Sequence, residues 1–392
     1  MIPKFKPSLG WAEIFALFKL NNGAVDRFEK AFANKFKAID AVAFPYGRSA
    51  QWAFLKAIGI ESAEIIMPAY TCSVVAHAVT LSGNKPRFVD INLDDYNMNL
   101  EEAEKAMNEN TRAIIATHTF GYPQDLDRLE AIIKAGEEKY GHKIWLMQDC
   151  CHAFGAEWNG RMIGSSGDVA VYALNISKMI TSIFGGMLTF RDKALADKVR
   201  VWRDAHYGKP GWVKSMGRRL YLLAVYVGFN EKIYGLTWWL QEKTPLLNRL
   251  TRSYHLDNKV HFPPDYLDRM LEVEAAVGLV QLDRYEAIIA RRRSNATHYT
   301  QSLERHVGWV FPPLIRGATY SHYVLRVPDR KAILDEWAAK GVHLGELIQY
   351  SIPALPEYRK TTSSIFPYAE QACVSTINFP VTSSLKDLKK CL

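Results

Sequence analysis

The sequence predicts an α/β fold: a large domain with a mostly parallel central sheet, followed by a small α+β C-terminal domain. Three observations carry this. Short apolar runs alternate with helical patterns through the first half of the chain. Those runs lack a clean polar alternation, as expected of strands buried on both faces. From about residue 308, short strands recur beside a single helix.

In chain order, AVDRFEKAFANKFKAID (24–40) spaces its apolar residues as an amphipathic helix does. AVAF (41–44) reads as a strand, and Tyr46-Gly47-Arg48-Ser49-Ala50 turns the chain into the helical pattern QWAFLKAIGI. EIIMP (64–68) is a buried strand, SVVAHAVTLSG a helix and PRFVDI (86–91) a further strand. TRAIIATHTFG (111–121), KIWLMQDC (143–150) and VAVYAL (169–174) continue the strands, with LDRLEAIIKAGEEKYG as a helix between the first two. A long helical stretch covers 265–307, and YVLRV (323–327) and RKAILDEWAAKG supply a strand and a helix beyond it. The expected division is 1–262 for the large domain, 263–307 for a helical connection and 308–392 for the small domain.

A chain of 392 residues that is 48% hydrophobic can bury a substantial core. Its five cysteines are an odd count without CxxC pairs, and the adjacent Cys150 and Cys151 suit neither a disulfide nor a metal. No metal is expected, and a reduced, cytoplasmic setting is. The N-terminal MIPKFKPSLGWAEIF lacks a signal-peptide core, and no run reaches the roughly 18 apolar residues of a spanning helix. A net charge of +8 admits a nucleotide-sugar diphosphate, an anionic membrane surface or nucleic acid. No nucleic-acid motif accompanies the charge, so nucleic acid is not an expected partner.

Residues 209–262 stand apart. Lys209, Lys214, Arg218, Arg219, Lys232, Lys243, Arg249, Arg252 and Lys259 face only Glu231, Glu242 and Asp257, around LYLLAVYVGF (220–229) and LTWWL (236–240). One reading is a helical hairpin packed on the domain or in a dimer interface. The other is a peripheral membrane surface at the inner face of the membrane. There Trp238, Trp239, Tyr221 and Tyr226 would sit in the interface, with Lys214, Arg218 and Arg219 toward headgroups.

Chemistry gathers at strand ends. Gly47-Arg48-Ser49 lies where a helix begins, so backbone N–H groups and the positive helix end favour a phosphate, with Arg48 adding a charged bond. Asp149 ends the strand KIWLMQD, at the edge where α/β folds bind ligands. Lys178 follows VAVYAL and precedes Gly185-Gly186. A phosphate cradle, a carboxylate and a lysine at strand ends are what pyridoxal phosphate requires: the lysine forms an imine, and the carboxylate keeps the pyridine nitrogen protonated. Each residue alone has a blander reading as turn, cap or surface charge.

Four segments in order strengthen the reading: THTFGYPQDLDRL (117–129), QDCCHAFGAEWNGRMIGSSGD (148–168), KMITSIFGGMLTF (178–190) and LDRMLEVEAAVGLVQL (267–282). Over nearly its whole length the chain resembles the DegT/DnrJ/EryC1/StrS family of pyridoxal-phosphate sugar aminotransferases, of fold type I. The resemblance implies that Lys178 carries the cofactor and shuttles protons, that Asp149 meets the pyridine nitrogen and that His152 lies near the ring hydroxyl. Gly47, Arg48 and Ser49 fall at the phosphate position. Lysine at 178, where the family's dehydratases carry histidine, favours transamination. Glutamate as amino donor, a nucleotide-linked keto-sugar as acceptor and a homodimer are implied too. The alternatives are another pyridoxal-dependent reaction, a lipid-linked substrate, or a non-catalytic relative.

Three cofactor contacts depart from the family pattern. Cys72 replaces the aromatic residue that stacks on the ring, with Tyr70 two residues earlier as a candidate cover. Ala173 replaces a phosphate-binding serine, with Asn175 as a candidate substitute. Leu267 replaces an asparagine lent by the partner subunit.

Overall fold

The computed structural model describes residues 1–19, 21–243, 259–303, 306–362 and 364–382. Its centre is a seven-stranded sheet made of β1 (Asp40–Phe44), β2 (Glu64–Pro68), β3 (Lys85–Val89), β4 (Thr111–Thr117), β5 (Trp145–Asp149), β8 (Val169–Ala173) and β9 (Gly186–Phe190). The short β6 (Glu157–Trp158) and β7 (Arg161–Met162) form a hairpin outside it. The strand order is β1-β9-β8-β5-β4-β2-β3, and β9 runs antiparallel to both neighbours. Side chains alternate faces along each strand. Val42 and Phe44 therefore join one apolar cluster while Ala41 and Ala43 join another, so both faces are buried as the unbroken runs predict.

Helices cover those faces: α1 (Trp11–Ala16), α2 (Ala24–Lys35), α3 (Gly47–Ile58), α4 (Ser73–Leu81), α5 (Leu100–Ala106), α6 (Leu126–Tyr140) and α7 (Lys193–His206). In α2, Phe28 and Phe32, four residues apart, are fully buried, and Phe36 just past its end is too. Each such burial stabilises by about 1.5–3 kcal/mol. The stripe packs so closely on the helix Glu272–Asp283 that a Cβ on Gly278 would come within 2.4 Å of the Phe28 ring. Local signals set other ends. Asp125 caps α6 by accepting from the Arg128 N–H, and Gly141 ends that helix at φ 69°.

Two stretches differ from their patterns, and the C-terminal part follows its own. The helical stretch 265–307 is two helices, Glu272–Asp283 and Tyr285–Leu303, separated at Arg284. The first starts where the Glu274 carboxylate accepts the Leu271 N–H at 3.0 Å. Strand β9 lies in a segment notable for its glycines; a Cβ on Gly186 would meet the Tyr46 carbonyl at 2.4 Å. In the C-terminal part, β10 (Tyr323–Arg326) pairs antiparallel with β11 (Thr376–Phe379) beside the helix Arg330–Ala339.

The 209–262 segment contains two helices, α8 (Trp212–Gly228) and α9 (Tyr234–Lys243); Arg249, Arg252 and Asp257 lie outside the described residues. Lys214 and Arg218 do not face outward toward headgroups. Lys214 pairs with Asp265 at 2.7 Å and Asp268 at 2.8 Å. Arg218 is buried over the Phe184 ring, 3.0 Å from Asp265 and 3.1 Å from Glu274. Helical periodicity places charges on a face; it does not reveal that carboxylates some fifty residues away fold beneath it. Outward from α8 point Trp212, Met216 and Leu220, and from α1 Trp11 and Phe15, with Phe18 exposed just past its end. No described helix is long and apolar enough to cross a membrane.

Candidate active site

The ends of β5 and β8 and the start of α3 converge on a cavity of about 210 Å³. Gly47, Arg48, Cys72, Asp149, His152, Asn175 and Lys178 all line it. A larger cavity of about 800 Å³ opens at the outer edge of the sheet by β3 and shares none of these residues.

The start of α3 is built to be approached. Tyr46, its N-cap, offers no side-chain cap to the first-turn N–H groups, which leaves them for an anion. Gly47 is required there because a Cβ would stand 2.8 Å from that of Ala173. Ser49 lies behind the lining, fully buried, and its hydroxyl has no hydrogen-bond partner among the described residues.

Asp149 is 3% exposed. The Thr117 hydroxyl donates to one carboxylate oxygen at 3.2 Å and the Cys151 N–H to the other at 3.1 Å. No ion pair to Asp149 is present among the described residues, so a cationic N–H donor would complete a buried charge. His152 stacks on Phe120, with planes 10° apart and centroids 6.1 Å apart. Its Nδ1 is buried without a partner among the described residues. Burial, then the charges of Lys178 and His322, hold His152 neutral, well below the ordinary imidazole range. Burial and the adjacent Asp149 push the Cys151 thiol up, so it is an un-ionised wall and not a nucleophile.

Two expected contacts are placed differently. Tyr70 does not line the cavity: its ring packs on Tyr96 and Phe120, and its hydroxyl lies 3.3 Å from Thr376 Oγ1. Strand geometry ends at Pro68 and the chain turns into α4, so residues two apart no longer share a direction. Asn175 reaches the cavity, but its Oδ1 is engaged by the Ser177 N–H (3.0 Å) and hydroxyl (2.6 Å). Thr71, Gln51 and Thr117 also line the cavity. Thr117 ends β4 beside Asp149, a position that counting strand ends would have found. His322, 5.5 Å from His152 between ring centroids, comes from the far side of the sequence and carried no local signal.

A model of the DegT/DnrJ/EryC1/StrS aminotransferase family matches residues 18–237 and 240–390. The chain belongs to that family. The spore coat polysaccharide biosynthesis protein SpsC of Bacillus subtilis is 27% identical over 93% of this chain and 86% of its own length. A GDP-perosamine synthase of Escherichia coli O157:H7 is 24% identical over the same shares, 93% and 86%. In fold, the chain matches the sugar aminotransferase CalS13 of Micromonospora echinospora with a TM-score of 0.77 and 21% identity, over 100% of this chain and 98% of that one. As a DegT/DnrJ/EryC1/StrS protein it is a sugar-aminotransferase homologue, and the family depends on pyridoxal phosphate.

Proposed function

We propose that this protein transfers an amino group from glutamate to a nucleotide-linked keto-sugar, with Lys178 as the catalytic residue. The observation that carries the reading is that one cavity collects Lys178, the cation-lacking carboxylate of Asp149 and the uncapped start of α3. The donor set fits pyridoxal phosphate: Asp149 would meet its ring nitrogen, His152 would lie near its ring hydroxyl, and Gly47, Arg48 and the backbone N–H of Ser49 would hold the phosphate. When bound, pyridoxal phosphate supplies an electron sink for charge that develops at the substrate carbon. The Lys178 amine takes the proton leaving the donor α-carbon and returns one to the acceptor carbon. His152, held neutral, orients by hydrogen bonding and adds no charge to the site. The walls of Cys72 and Val75 narrow the cavity without a stacking ring.

The nucleotide-linked acceptor rests on relatives such as GDP-perosamine synthase, and polysaccharide assembly on SpsC. A homodimer is the favoured assembly. Trp212, Met216 and Leu220 on α8, and Trp11 and Phe15 on α1, are large apolar side chains left exposed that a partner subunit would bury, and Lys214 and Arg218 are spent in ion pairs instead of meeting headgroups.

The test is an absorbance spectrum of the purified protein with and without glutamate, beside Lys178→Ala. The wild type should show a cofactor band that glutamate converts and that the variant lacks. A band shared unchanged by the variant overturns the reading.

A further inference from the structure

Helix α8 reaches the phosphate end of the site from outside the sheet, through one side chain. Arg218 is buried and stands one turn beyond Lys214, so the two share a side of the helix. Its Nη2 donates to the Tyr46 hydroxyl at 2.9 Å and meets Asp265 Oδ2 at 3.0 Å. With Nε on Glu274 at 3.1 Å, the planar fork is fixed along two edges. The Tyr46 hydroxyl in turn donates to Asp265 Oδ1 at 2.7 Å. Burial, against the pull of Arg218, holds that phenol well above its ordinary range, so it stays protonated and keeps donating.

Tyr46 is the N-cap of α3, and the two residues after it, Gly47 and Arg48, line the cavity. Its backbone also bridges to Gly185, at the far end of the loop that carries Lys178. That loop is drawn shut by the Leu174 N–H, which donates to the Gly185 carbonyl at 2.9 Å. Within it Ile183 is buried and β-branched yet has φ 73°, a conformation that persists only where its surroundings fix it. The next residue, Phe184, is held by α8: the Arg218 Cζ lies 3.9 Å from its ring centroid, and the Tyr221 ring packs on it at 5.1 Å. A buried cation over an aromatic face is a stronger contact than the same pair in water. One residue of α8 therefore touches both the start of α3 and the loop of Lys178.

We propose that Arg218 is a positioning residue: through the Tyr46 hydroxyl and the Phe184 ring it holds the phosphate-binding start of α3 in register with Lys178. The inference rests on the reading above that the start of α3 takes the phosphate of pyridoxal phosphate. A ring tethered at its phosphate and at Lys178 meets Asp149 only if those two tethers keep their spacing. The 209–262 segment thereby has a part in the site without lining it.

The test compares pyridoxal phosphate with pyridoxal, which has the ring and aldehyde but no phosphate, on the full chain freed of cofactor. Absorbance titrations give both dissociation constants for wild type, Tyr46→Phe, Arg218→Lys and the double variant, and urea midpoints report folding. Tyr46→Phe keeps the ring and removes only the hydroxyl; Arg218→Lys keeps the charge and loses the fork. Each single variant should bind pyridoxal phosphate at least about threefold more weakly, with pyridoxal affinity held within about twofold. The double variant should be no worse than the weaker-binding single, since both act through one contact. Should Arg218→Lys fail to fold, Tyr46→Phe carries the test. Equal losses for the two ligands, as a general loosening would give, overturn the inference, and so does wild-type affinity for pyridoxal phosphate in Tyr46→Phe. Losses that add in the double variant overturn it too. A wild type that gains no affinity from the phosphate overturns the phosphate reading and this inference together.

Discussion

The imidazole rings of His152 and His322 lie 5.5 Å apart at 61°, one from the end of β5 and one from just before β10. Both are buried and both are neutral in the folded protein. Burial, then Arg292 and Lys178, pulls His322 from 6.5 down to about 3, and burial chiefly depresses His152. In the unfolded chain each takes a proton below its ordinary value.

The pair therefore contributes stability that is fully present above about pH 6.5 and is lost as pH falls toward the folded values. Each contributes up to about 1.4 kcal/mol per pH unit in that window. Urea unfolding of wild type and His322→Gln between pH 7 and 5 should give a shallower fall for the variant. Equal slopes would show that His322 already ionises in the folded protein.

Arg218 should be a keystone of stability. Burial raises Glu274 to about 7 despite the lowering effect of Arg218. Arg218→Ala would strand that carboxylate and strip the cation from Phe184. The expected loss is about 3–5 kcal/mol, read as a lowered urea midpoint. Arg218→Ala with Glu274→Gln should recover part of it.

The phosphate end of the cavity can be tuned in both directions. Arg48→Ala should weaken cofactor retention by more than the about 0.5–1.5 kcal/mol of a single neutral bond. Ala173→Ser, which sets a hydroxyl opposite Gly47, should strengthen it by about that amount. Both are read as the cofactor dissociation constant from absorbance titration. An unchanged constant in Arg48→Ala would remove Arg48 from the phosphate site.

Trp212→Glu with Met216→Glu should dissociate the proposed homodimer, since Trp212 is 79% exposed and Met216 48% exposed on one face of α8. Light scattering at micromolar concentration reads the mass. A wild-type monomer would overturn the homodimer, and a dimer unaffected by both charges would place its interface elsewhere.

What the sequence disclosed was local in origin. Strands buried on both faces appear as unbroken apolar runs. Gly47, Asp149 and Lys178 were legible because each sits within a few residues of such a run. Arg292 and His322 were not: one lies on a helix whose pattern reads as a surface, the other in a loop, and only the tertiary fold brings them to Lys178. The same long range hid the carboxylates under Lys214 and Arg218. Tyr70 was misplaced for the opposite reason, a strand pattern carried past Pro68 into a turn.

The loop around Phe120 and the loop carrying His322 are joined by backbone. Thr319 N–H donates to the Gly121 carbonyl at 3.0 Å and Ser321 N–H to the Phe120 carbonyl at 2.9 Å. A Cβ on Gly121, at φ 98°, would strike the Tyr320 nitrogen at 2.6 Å. This clasp ties the loop carrying His322 to the loop that follows β4, and so fixes His322 beside the Phe120 ring on which His152 stacks. A substitution at Gly121 would act at this seam, at a distance from Lys178, by forcing the two loops apart.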